Sequence, residues 1–214
     1  MSTVRKPFDR YTWVFIGSVL VIPIAVFLLM RAAEGRGDLP ILGPSTKDAQ
    51  GERVHHRILD FELTDQTGMV ITQDVSRNKI VVAGFFFASC PTICPEMTRS
   101  LKRVQQKFNS DEVVILYHTV DPKRDSVAVL AKYAERFDIH NSNWHLLTGD
   151  KQQIYLLARN SYFITALEGD GGANDFIHSE LLALVDREGR IRGYYDGTDP
   201  RAVGDLIRDI KGLN

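Results

Sequence analysis

The chain has 214 residues, and its 26 Lys plus Arg stand against 27 Asp plus Glu for a formal net charge of -1. With no basic surplus to neutralise a phosphate backbone, nucleic acid is excluded as a partner class. The only two cysteines, Cys90 and Cys94, lie close together in the first half of the chain.

From Tyr11 to Met30 no residue is charged. Twenty residues at about 1.5 Å rise match a hydrocarbon core of roughly 30 Å, so residues 11–30 are expected to form a transmembrane helix. Pro23 is tolerable in a bilayer helix, and Tyr11 and Trp13 fall where aromatic side chains favour the interface. A cleaved secretory signal is the alternative. It is disfavoured by the length of the stretch and by the lack of a small-x-small site before Arg31. Arg5, Lys6 and Arg10 precede the span, partly offset by Asp9, while Arg31 and Arg36 follow it among Glu34 and Asp38. That weak bias puts residues 1–10 in the cytoplasm and the rest of the chain in the periplasm. So short a leader leaves no room for a mitochondrial transit peptide, which makes a bacterial inner membrane the expected location, with lipid met through the N-terminal anchor.

Residues 31–55 carry Gly35, Gly37, Pro40, Gly43 and Pro44, the composition of a tether. Residues 56–214 are then enough for one domain with its own core. His55 and His56 read as solvated. Phe61 to Asp65 and Met69 to Thr72 alternate around Gln66-Thr67-Gly68 and predict a hairpin. Lys79 to Phe87 is continuously apolar after its first residue, as a strand buried on both faces should be. Helical spacing follows in Met97, Leu101, Val104 and Phe108. Glu112 to Val120 predicts a second buried strand, and Asp125 a cap for a helix through Val129, Tyr133 and Phe137.

Trp144 to Leu147 is a short predicted strand, and Asp150 is placed to cap a helix through Ile154, Leu157 and Ala158. Leu181 to Asp186 turns at Arg187-Glu188-Gly189-Arg190 into Ile191 to Tyr195. Pro200 opens a final helix through Val203, Leu206 and Ile210, where a missing N–H does no harm. His118 reads as a core histidine, and His140 and His145 as surface residues. The pattern is an α/β fold with a mixed central sheet.

Cys90-Pro91-Thr92-Ile93-Cys94-Pro95 sits at the end of the first central strand and opens a helix, the thioredoxin-like placement of a cysteine pair. Pro95 lacks a donor, so it belongs among the first helical positions, and the helix is expected to start near Thr92 or Ile93. A helix N-terminus stabilises anions and so favours thiolate. Two thiols this close can form a disulfide or share a soft ion such as copper(I) or zinc. In an oxidising compartment they can alternate between the two. A purely structural disulfide is the bland reading, but so short a loop gains little from closure. Met97 offers a thioether, though its spacing suits the core.

Three elements together resemble the Sco/SenC family of membrane-anchored copper-binding proteins, which take part in assembling the copper centre of cytochrome c oxidase. They are Ser89-Cys90-Pro91-Thr92-Ile93-Cys94-Pro95, Val120-Asp121-Pro122-Lys123-Arg124-Asp125 and Phe176-Ile177-His178-Ser179. The resemblance spans residues 58 to 212 and implies a thioredoxin-like fold. It also implies one copper ion held by Cys90, Cys94 and His178, with an oxidase subunit or another copper acceptor as partner. No proline occurs between Pro122 and Pro200, so the cis-proline of thioredoxins is missing and His178 occupies the corresponding region. Delivery of copper is the leading expectation. Reduction of a partner's cysteines by Cys90 and Cys94 is the alternative, and a zinc ion with bound water is a third possibility.

Overall fold

The computed structural model describes residues 17, 19, 21–29, 39–140, 143–164 and 179–213, and the chain divides into units 1–38 and 39–214. In the first unit residues 17, 19 and 21–29 are helical. The other positions of the expected membrane span lie outside the described residues. Among those described, no helix is long and apolar enough to cross a membrane.

The second unit opens with two antiparallel hairpins, β1 (Ser45–Lys47) with β2 (Arg53–His55) and β3 (Glu62–Thr64) with β4 (Val70–Thr72). There follow β5 (Ile80–Phe86), α1 (Ile93–Gln105), β6 (Val113–Thr119), α2 (Val127–Arg136), β7 (Trp144–Leu147) and α3 (Lys151–Leu156). A π-helical turn, Leu157–Ser161, extends α3. The chain ends in β8 (Leu181–Val185), β9 (Ile191–Asp196) and α4 (Pro200–Leu213).

Five strands form one mixed sheet in the order β7-β6-β5-β8-β9. β5 pairs parallel with β6 and antiparallel with β8, and every one of its side chains is buried. An apolar run without alternation demands this, because both of its faces must be covered. Ile80, Val82 and Phe86 pack with Leu101, Leu130 and Leu206 of α1, α2 and α4 on one side. Val81, Ala83 and Phe85 pack with Ile154 and Tyr155 of α3 and with Leu63 and Ile71 of the second hairpin on the other. At Gly84 an added Cβ would meet Leu182 at 2.9 Å and Tyr117 at 3.1 Å, so the centre of the sheet admits no side chain there.

Asp65 makes the second hairpin's turn. Its Oδ1 accepts from the Thr67 N–H at 2.8 Å, the Thr67 hydroxyl at 2.6 Å and the Met69 N–H at 3.2 Å, with Gly68 at φ 86° beyond it. The same hairpin covers the free edge of β7. The Gln66 amide donates to the Trp144 carbonyl at 3.0 Å and accepts from the Leu146 N–H at 2.7 Å, as a neighbouring strand would.

Several local expectations need correction. Residues 39–55, read as tether, are held to the domain. Leu42 N–H donates to the Ile191 carbonyl at 2.8 Å, and the Arg192 guanidinium, itself bonded to Asp186, donates to the carbonyls of Leu39 and Pro40. His56 is not solvated: its Nε2 lies 2.9 Å from the Ser161 carbonyl and its ring packs on Phe163. His145 is buried, with Nδ1 3.0 Å from Asp65 Oδ2. Ser126, not Asp125, occupies the N-cap of α2, and its hydroxyl makes no cap bond. Asp150 does cap α3, accepting from the Gln153 N–H at 2.8 Å.

Candidate metal and redox centre

The parallel strands deliver their ends to one place, and the loop carrying the cysteines leaves β5 there. Cys90 N–H closes a turn onto the Phe87 carbonyl at 3.2 Å, and α1 begins at Ile93 with Thr92 as N-cap. Pro95 falls in the first turn, where the missing donor leaves no bond unmade. Cys94 therefore sits inside the helix and Cys90 outside it, yet the Cys94 N–H points at Cys90 Sγ, 3.5 Å away. Both thiols are unbridged, and both are buried.

The two sulfurs have opposite electrostatics. Burial raises the Cys90 pKa, but the N–H groups of Cys94 and Thr92 and hydrogen bonding from the Cys94 and Thr92 side chains outweigh it and bring the thiol below its ordinary value. Burial pushes Cys94 up to about 12, reinforced by its bond to Cys90 and by the negative charge of Asp125. Cys90 is thus the more readily ionised thiol and Cys94 the donor beside it, an attacking and a resolving thiol in chemical terms.

Asp125 is what sequence reasoning misassigned. Its carboxylate turns inward, where Oδ2 accepts from the Ala88 N–H at 2.9 Å and from the Thr119 hydroxyl at 2.5 Å. Its carbonyl accepts from the Thr148 hydroxyl at 2.8 Å. One residue joins the cysteine loop to the ends of β6 and β7. Burial raises its pKa, against the bonds from Thr119 and Ala88. The signal that could have found it is Thr119, a hydroxyl ending a buried strand six residues earlier, which needs a polar partner.

Behind the pair, the Thr98 hydroxyl donates to the Cys94 carbonyl at 2.8 Å, which leaves Tyr133 O–H to donate to Thr98 at 2.7 Å. Met97 is fully buried beneath. His118 is buried with Nδ1 3.3 Å from the Gly84 carbonyl, and burial lowers its pKa to about 4, so it is neutral at pH 7. Arg124 and Asp121 make a turn.

His178 lies outside the described residues. The chain resumes at Ser179, and the Glu180 carbonyl accepts from the Gly197 N–H at 2.8 Å. A Cβ at Gly197 would meet Met97 at 3.1 Å, so the start of β8 runs beside the first turns of α1. Among the described residues no three His, Cys, Asp or Glu side chains come together.

A mixed sheet carrying a dithiol at a strand-to-helix junction defines a thioredoxin-like α/β protein. The SCO1/SenC family profile matches residues 49–213, and the chain belongs to that family. The SCO1 protein homolog of Bacillus subtilis (strain 168) is 29% identical over 164 residues, covering 75% of this chain and 84% of the relative. Among solved structures, BsSco is 27% identical with a TM-score of 0.61, covering 74% of this chain and 93% of the other. It is described as having a disulfide switch and as a member of the Sco family of cytochrome c oxidase assembly proteins. Bradyrhizobium japonicum ScoI, solved with copper bound, is 28% identical with a TM-score of 0.54, covering 71% of this chain and 98% of the other.

Three outcomes follow from this geometry. Alkylation with iodoacetamide, followed by mass spectrometry across a pH series, is expected to label Cys90 with a midpoint below the ordinary thiol value of 9.0 and Cys94 only far above it; equal labelling of both at neutral pH would contradict the asymmetry. Asp125→Ala is expected to cost about 1–3 kcal/mol in urea unfolding, because it strands buried donors. Ser126→Ala should stay within about 0.5 kcal/mol.

Proposed function

We propose that this chain is a membrane-anchored copper chaperone, which binds one copper ion through Cys90, Cys94 and His178 and hands it to a respiratory oxidase copper site. The observation that carries the reading is the approach of the Cys94 N–H to Cys90 Sγ at 3.5 Å, together with the hydrogen bond between the two unbridged thiols. Thiolates suit copper(I), and the copper-bound Bradyrhizobium relative supports the same cargo here. β8 starts three residues after His178, beside α1, which favours an imidazole arriving over the cysteine loop. Two sulfurs and one nitrogen leave a coordination position open, so an acceptor's ligand can enter before the chaperone's leave. Residues 11–30 serve as the anchor in a bacterial inner membrane, with the domain in the periplasm and the assembly of a cytochrome c oxidase as its setting.

The thiol asymmetry favours a second reading, in which Cys90 attacks a partner disulfide and Cys94 resolves it, leaving the partner's cysteines reduced and this pair bridged. The histidine separates the two. His178→Ala is expected to lower copper(I) affinity at least tenfold in competition with a chromophoric chelator, and to leave reduction of a partner disulfide unchanged. Wild-type affinity in that variant would rule out the imidazole as a ligand.

A further inference from the structure

The first hairpin stands apart from the five-stranded sheet as a pair of its own, and every residue of β1 and β2 except the half-buried His55 is exposed. A two-stranded hairpin that buries neither face is marginal in water, so packing does not account for this one. Its charges are sorted by face. The register sets Lys47 directly opposite Arg53 and Ser45 opposite His55, and alternation puts all four on one side. Thr46 and Val54 point the other way, and so does His56, whose ring is held by the Ser161 carbonyl and Phe163. The Lys47 and Arg53 side chains therefore face away from the domain. Like charges directly opposed repel, and among the described residues neither cation meets a carboxylate within ion-pair distance. The nearby acids lie elsewhere. Asp48 is turned into the hairpin loop, where it accepts from the Gln50 and Glu52 N–H groups at 3.0 and 2.8 Å, and Glu52 falls on the side of Thr46 and Val54.

The hairpin is rooted at one end of the sheet. Leu42, before it, bridges Ile191 at the start of β9, and Ile58, after it, donates to the Gly189 carbonyl in the β8–β9 turn at 2.9 Å. β5 and β9 both pair antiparallel with β8 and so run the same way, which makes this the end opposite the cysteine loop. Exposed Arg57, beside Gly189, adds a third cation at the root. Eight residues, 31–38, separate Met30 from Leu39, and even fully extended they reach only about 30 Å.

We propose that the Lys47–Arg53 face of this hairpin docks on the anionic phospholipid headgroups of the membrane that carries the anchor. The inference rests on the anchor of the proposed function, since the short connection is what keeps the hairpin within reach of a bilayer. Phosphodiester oxygens set between the two cations turn their repulsion into a shared attraction, and basic groups next to a membrane attachment gain from an anionic surface. An acidic protein would have to compete with a surface that the tether holds close at all times. With the hairpin docked, the cysteine loop at the other end of the sheet stays open to an acceptor.

The test uses the 15N-labelled full chain in lipid nanodiscs with a spin label on the headgroups, made of phosphatidylcholine alone or mixed with phosphatidylglycerol. In the mixed discs the amides of Thr46, Lys47, Arg53 and Val54 are expected to broaden at least twofold more than in the neutral ones. Those of α2, between β6 and β7 at the other edge of the sheet, should not change. Raising the salt concentration should remove the difference. Lys47→Gln combined with Arg53→Gln should remove it too, and should leave the melting temperature unchanged because the hairpin buries nothing. Equal broadening in the two lipids, or a difference that survives the double substitution, would overturn the docking while a chain retained in the discs upholds the anchor. Loss of the chain from discs of both compositions would overturn the anchor and the docking with it. Shifts of the same amides with poly-L-glutamate, and none with the mixed discs, would assign the face to an acidic protein instead.

Discussion

A strand buried on both faces and paired on both edges leaves only its ends for chemistry. β5 is such a strand, and the chain emerging from it has to turn immediately into α1 to keep the helix packed over the sheet. That turn is the cysteine loop. Its shape is set by the buried carboxylate of Asp125, which takes one hydrogen bond from the loop and one from the end of β6. Removing the carboxylate would strand donors inside the core, so the loop and the neighbouring strand ends hold their geometry together.

The helix start gives the two thiols different roles although they are four residues apart. Cys94, within the first turn and fully covered, keeps its proton. Cys90, outside the helix, collects N–H groups from Thr92 and Cys94 and gives it up more readily than an ordinary thiol. A single scaffold thus serves both readings proposed above. A thiolate beside a protonated thiol is a redox pair, and when a soft cation supplies the charge compensation the same two sulfurs become a ligand set.

The core strands, the second hairpin, the start of α1 and the proline-led final helix were legible in the sequence, because each rests on a local rule: an apolar run, two alternating runs around a turn ending in glycine, a proline confined to the first turn. Errors fell where a side chain acts across the sheet. Asp125 stands two residues before a helix and has the composition of a cap, yet Thr119, six residues earlier at the end of β6, draws it inward. His145 has polar neighbours, but its burial is decided by Asp65, eighty positions earlier. Residues 39–55 look like a tether, and Ile191 and Arg192, on the last strand, make them part of the domain. For the cysteine site the pair was plain from spacing and position, while the inequality of its two members depends on where the helix begins.

X-ray absorption at the copper edge, on the full chain carrying one equivalent of copper(I), tests the central claim most directly. Two sulfur scatterers and one imidazole nitrogen are expected, with the sulfur count falling to one in Cys90→Ser and in Cys94→Ser. A sulfur count that does not change when either cysteine is replaced would contradict the account.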